Sequence, residues 1–172
     1  CEAEAAKGGG HATIAADLSR FESSMDAYIV IGNANTRKAS VLRSLTGCFN
    51  RSVREILPLD AAAPLRLYAR VGSLQDTRTA PADFVDEAAR TRCSAVLCCL
   101  SPNAHPGEPG RYPDARAYLD HFKAAGWQLR SIAVLGQNHG GVRSPVLRQF
   151  HLAPTAPINV TAREVRAHFH WQ

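Results

Sequence analysis

The segment Ser94-Ala-Val-Leu-Cys-Cys-Leu100 has no polar side chain after its first residue. A strand with one wet face alternates apolar and polar residues. An unbroken apolar run therefore predicts a strand buried on both faces, as in sheets covered by helices on each side. Ala27–Ile31 reads the same way, and Gln128–Gly136 is a third strand. Helical patterns fall between them. Val41, Leu42 and Leu45 share one face ahead of Gly47, a helix stop. A second helix is expected over Pro81–Arg92, capped near Thr79 with proline in its first turn, and a third over Pro113–Ala125, ending at Gly126. Val53–Leu59 and Leu65–Gly72, joined by Asp60-Ala-Ala-Ala-Pro64, predict an antiparallel hairpin. Pro157–Val160 is expected as a brief last strand, and Thr161–Trp171 as a terminal helix starting at a threonine cap. The expected class is α/β, with a mostly parallel sheet and helices on both faces.

With 172 residues the chain suits one domain, at roughly 100–200 residues per domain. The only methionine is Met25, directly before the first strand, and residues 1–24 are rich in Ala, Gly and Glu. This segment is expected to be an extension, linker or fusion remnant, leaving a domain over 25–172. The competing reading is an amphipathic helix on Ile14, Leu18 and Phe21. No apolar run approaches the ~18–20 residues that span a bilayer, so a membrane is not an expected partner. Five cysteines without a zinc-type spacing fit a reducing compartment, and a cytoplasmic location is expected. The formal charge is +5, and all but three of the 20 basic residues are arginine. That balance keeps nucleic acid among the candidate partners.

In parallel sheets, ligands sit beyond the carboxyl ends of the strands. Here those ends lead into Gly32–Lys38, Gly72–Asp76, Ser101–His105 and Gly136–His139. The first carries the strongest signal: Gly32-Asn-Ala-Asn-Thr-Arg-Lys-Ala-Ser40 lies between a strand and a helix. Small residues let successive backbone N–H groups curl around an anion, a lysine reaches phosphate oxygens, and a hydroxyl at the helix start holds Mg²⁺. The helix N-terminus adds a favourable dipole.

Gly32–Gly47, with Asn35, Lys38, Ser40, Leu42, Leu45 and Thr46-Gly47, resembles the first motif of P-loop GTPases, commonly G-x-P-N-x-G-K-S-S-x-x-x-x-L-T-G. The order of elements over 25–172 is similar to that of a Ras-like domain within the P-loop NTPases, hairpin included. Arg37 stands where that motif has its second glycine, and Ala39 where it has the magnesium-binding Ser or Thr. Gln137-Asn138-His139-Gly140 stands in place of the base-reading N-K-x-D, and Gly72–Asp76 lacks the D-x-x-G aspartate at its usual position. The resemblance implies a nucleotide such as GTP or ATP, or another phosphate ligand, on Gly32, Asn33, Asn35, Thr36, Arg37, Lys38 and Ser40. Gln137 and Asn138 would touch the base, with Ser40 and Asp76 as substitute Mg²⁺ ligands. Arg37 would either fill the loop with its guanidinium or swing out and clamp a phosphate. Hydrolysis is expected to be slow or absent. Two alternatives remain open: a pseudo-GTPase scaffold for a protein partner, and an active NTPase or kinase with an atypical loop.

Other candidates are weaker. His105 and His139 lie on ligand-end loops, and Cys99 and Ser101 are nucleophiles only beside a base. His168 and His170 are expected on a helix surface, Trp127 and Trp171 in packing, and Arg43, Arg51 and Arg54 on a solvated or anion-facing surface.

Overall fold

A computed structural model describes residues 25–34 and 36–172. The two readings of residues 1–24 and the role expected of Asn35 lie outside the described residues. Among the described residues six strands and four helices follow in the order β1 (Asp26–Gly32), α1 (Lys38–Thr46), β2 (Arg51–Ile56), β3 (Leu65–Ser73), α2 (Pro81–Arg90), β4 (Ala95–Leu100), α3 (Ala115–Ala124), β5 (Gln128–Leu135), β6 (Leu147–Phe150) and α4 (Ile158–His168). The strands form one sheet in the order β2-β3-β4-β1-β5-β6. Only the β2–β3 hairpin is antiparallel; β1 runs parallel to β4 on one side and β5 on the other.

Alternating side chains divide the interior into two cores. Ile29, Ile31, Val96, Cys98, Ile132 and Val134 face a layer made by α2 and α3. Tyr28, Val30, Leu97, Cys99, Ala133 and Leu135 face α1 and α4. The unbroken apolar strands are therefore buried on both faces, as their composition requires. In the first core, Phe122 stacks on Trp127 with centroids 4.6 Å apart and meets Phe84 at 5.8 Å. In the second, Trp171 packs on Tyr28 at 4.9 Å and on Phe169 at 5.0 Å. Both tryptophans thus serve packing.

Several local expectations are corrected. Pro157–Val160 is not a strand: Pro157 caps α4, which begins at Ile158 rather than Thr161. Ile158, Ala162 and Val165 line one helical face against the second core, and that packing outweighs the short alternating run. The last strand is instead Leu147–Phe150, four residues paired to Ile132–Leu135. Strand β2 starts and ends earlier than expected. Helix α2 is preceded by Ala80, whose side chain has no capping bond. Thr79 anchors other elements, its carbonyl accepting a 2.6 Å bond from Tyr118 Oη and its hydroxyl a 2.8 Å bond from Arg70. Gly47 ends α1 in the left-handed region at φ 71° and donates its N–H to Arg43 O, as its position implied. Among the described residues no helix is long and apolar enough to cross a membrane.

Phe122 is fully buried between Phe84, Tyr118 and Trp127. Truncating such a side chain costs about 3–5 kcal/mol. Phe122→Ala is expected to lose about that much stability in urea unfolding, a large share of the total for a domain of this size.

Candidate functional site

Strand β1 delivers the chain to the carboxyl edge of the sheet at Gly32. A Cβ there would run into Thr36 Oγ1 and come within 3.3 Å of Leu135 O, so only glycine lets the loop fold back this closely. The Asn33 carbonyl organises the loop. It accepts bonds from Thr36 N at 3.1 Å, Thr36 Oγ1 at 2.7 Å and Lys38 Nζ at 3.0 Å. Thr36 and Lys38 are buried beneath this turn, while Asn33 and Ala34 are exposed.

Arg37 has φ 61° and ψ 35°, the left-handed conformation that a side chain makes costly by about 1–2 kcal/mol. Its Nη2 donates to Ala153 O at 2.9 Å and also to Ala156 O, two carbonyls in the turn before α4. Its Nε is buried with no acceptor. The guanidinium is thus drawn aside to the 153–156 turn rather than filling the loop. The first intrahelical bond of α1 runs from Val41 N to Arg37 O. The N–H groups of Lys38, Ala39 and Ser40 therefore have no acceptor within the helix and face its positive end.

Lys38 is 7% exposed. Burial pushes its pKa below the ordinary lysine value, and neighbouring Cys99 and Asp76 pull it back up. The Cys99 thiol is pushed up to about 12, by burial first, against the opposing pull of Lys38. A buried thiol held in its protonated form is a poor nucleophile, which removes Cys99 as a catalytic candidate.

A cleft of about 270 Å³ opens beside the loop, lined among others by Arg37, Lys38, Ser40, Asp76 and Thr77. Asp76 lies in the turn after β3 and is exposed. The structure therefore brings Ser40 and Asp76 to the same cleft as Lys38. A hydroxyl and a carboxylate are hard oxygen donors, suited to Mg²⁺, which uses few protein ligands and completes its shell with phosphate and water. Among the described residues no group of three or more His, Cys, Asp or Glu side chains converges. Asn138 reaches the loop from the other side, its Nδ2 3.4 Å from Asn33 Oδ1. Gln137 is exposed beside it, its carbonyl bonded by Gln149 Nε2 at 2.9 Å.

The remaining candidates have structural roles. His105 Nδ1 accepts from Gly107 N and Glu108 N, and His139 Nδ1 from Gly141 N, so each ring is used within its own loop. His168 is not on the surface. It is half-buried, with Nε2 3.0 Å from both Ile132 O and Val146 O, holding α4 against β5 and the start of β6. His170 is exposed. Arg51 pairs with Glu87 at 3.2 Å, while Arg43 and Arg54 bond to Phe49 O and Cys48 Sγ. Sequence reasoning missed Gln75, which is 1% exposed. Its Oε1 accepts from Ser101 N at 2.9 Å and Ser73 Oγ at 3.1 Å, and its Nε2 donates to Ser101 O at 2.8 Å and Pro113 O at 3.2 Å. These bonds tie the turn carrying Asp76 to the loop after β4. They also engage the Ser101 backbone. No local signal marks a glutamine for burial; its partners come from distant loops.

No family model, no curated protein and no solved structure matches this chain.

Two predictions test this geometry. Arg37→Ala loses the bonds to Ala153 and Ala156 and keeps the strained backbone, whereas Arg37→Gly loses the bonds and relieves the strain. Both variants are expected to be less stable than the parent, with the glycine variant the more stable of the two by about 1 kcal/mol in urea unfolding. Lys38 buries an ammonium with a single acceptor, so Lys38→Met is expected to raise stability at neutral pH by about 1 kcal/mol, or roughly 2–4 °C in the midpoint. Because the native pKa of Lys38 lies below its unfolded value, the unfolded chain holds more protons between the two. Stability then rises with pH through that window. The advantage of the methionine variant should therefore shrink as pH approaches the ordinary lysine pKa.

Proposed function

We propose that the loop Gly32–Ser40 binds the phosphate groups of a nucleotide such as GTP or ATP, or of another phosphate-bearing ligand, with little or no hydrolysis. On this reading the domain is P-loop NTPase-like, with a Ras-like order of elements. The observation that carries it is the pairing of a buried Lys38 with a left-handed turn at Arg37. The backbone keeps a conformation that suits glycine although the residue is arginine, and a strained, charged arrangement of this kind is a feature of ligand sites. Lys38 contacts phosphate oxygens, and the N–H groups at the start of α1 supply donors. Ser40 and Asp76 would hold Mg²⁺, whose charge would be shared with the phosphates. On this reading Gln137 and Asn138 would touch the base. Turnover is weak on this reading because Ala39 offers no hydroxyl at the usual metal position, and phosphoryl transfer depends on positioning and metal charge.

A second reading, a scaffold for a protein partner, draws support from a different surface. Phe49 is 79% and Leu59 54% exposed, at either end of the outermost strand β2. Such a strand leaves its outer backbone groups free for pairing.

Thermal unfolding of the full chain with GTP, ATP, GDP or pyrophosphate, each with and without Mg²⁺, separates the two. A ligand at ~100 times its dissociation constant adds about 2.7 kcal/mol, or roughly 5–10 °C. The expected result is a shift that disappears in Lys38→Met. Absence of a shift with every ligand overturns the phosphate reading and leaves the scaffold.

A further inference from the structure

A second cavity, of about 550 Å³, lies on the opposite side of the sheet from α1, between α3 and the segment linking β5 to β6. Its floor is apolar: Leu119, Ile132 and Val142 are each at most 7% exposed and belong to the first core. Its rim is cationic. Arg116 and Lys123 stand two turns apart on the same face of α3, and Arg143 faces them from the linking segment. All three are exposed, and among the described residues none has a carboxylate within 4.0 Å. Asp120 also lines the cavity, leaving the rim at a formal charge of +2 from these four side chains.

We infer that this cavity binds a small organic carboxylate with an apolar body, its acid group held by Arg116, Lys123 and Arg143. The volume is within the ~300–1,000 Å³ of small-molecule sites, which combine an apolar lining with a few polar groups. Arginine matches a carboxylate with two parallel N–H donors, and among the described residues no carboxylate lies within 4.0 Å of these cations. An apolar body would lie against the floor, a contact that acetate or inorganic phosphate is too small to make. The rim selects against neutral apolar compounds, which would leave the cations clustered without a counter-charge. Lys38 lies on α1 across the sheet, so this site is separate from the phosphate cleft and does not depend on it.

The test uses the full chain and the fluorescent organic anion 8-anilinonaphthalene-1-sulfonate as probe. Saturable binding of one probe per chain is expected, reversed by 4-phenylbutyrate and not by acetate or 4-phenylbutanol at equal concentration. Arg116→Ala combined with Arg143→Ala, both on exposed side chains, should weaken 4-phenylbutyrate at least tenfold while preserving the unfolding midpoint. Lys38→Met should leave binding unchanged. No saturable binding, equal displacement by the alcohol, an unchanged affinity in the double variant, or loss of binding in Lys38→Met would each overturn the inference.

Discussion

The structure depends on the burial of β1 on every side. Its edges pair with β4 and β5, and its two faces are covered by α2 with α3 and by α1 with α4. A strand in this position has only two exits, and the loop at its carboxyl end must turn sharply to begin α1. Gly32, the three bonds to the Asn33 carbonyl and the left-handed Arg37 are the physical form of that turn. The candidate site is thus a consequence of where the most buried strand ends, at the sheet edge where parallel α/β folds gather ligands.

Around that turn, polar groups do structural work that hydrophobic patterning cannot describe. Arg37 links the first loop to the 153–156 turn, Gln75 links the turn after β3 to the loop after β4, and His168 links α4 to β5. Each satisfies backbone groups that would otherwise be costly to bury. Lys38 is the exception. It is buried under a loop where, among the described residues, the Asn33 carbonyl is the one acceptor for its Nζ, and burial lowers its pKa; a ligand would supply the remaining bonds. The two faces of the sheet carry separate cavities. The α1 side has the smaller cleft beside Lys38, while the α3 side has a larger cavity rimmed by Arg116, Lys123 and Arg143.

The long apolar strands, the three central helices and the hairpin were legible in the amino-acid sequence, because each carries a complete local period that burial only confirms. The loop after β1 was legible for a related reason: its glycine, lysine and hydroxyl residues lie within nine positions, and their order alone places them at a helix start. Asp76 was singled out in the sequence through the resemblance, and the fold brings it to the cleft that Lys38 and Ser40 line. The segment after Gly136 was not read correctly. Leu147–Phe150 is too short to show a period, and its pairing is set by β5 rather than by its own composition. Ile158-Asn159-Val160 suits an alternating strand equally well until Ala162 and Val165 are seen to share a face with Ile158.

Sequence by itself therefore determined the α/β class, the burial of the central strands and the placement of a glycine-led, basic turn ahead of α1. Tertiary structure alone decided the order of the strands, the direction taken by the Arg37 side chain, the burial of Gln75 and His168, and the gathering of Arg116, Lys123 and Arg143 around one cavity. The division follows from range. Periodicity and turn chemistry act over a few residues and are written locally. The partner of a polar side chain depends on segments dozens of positions away, which meet only when the sheet has formed.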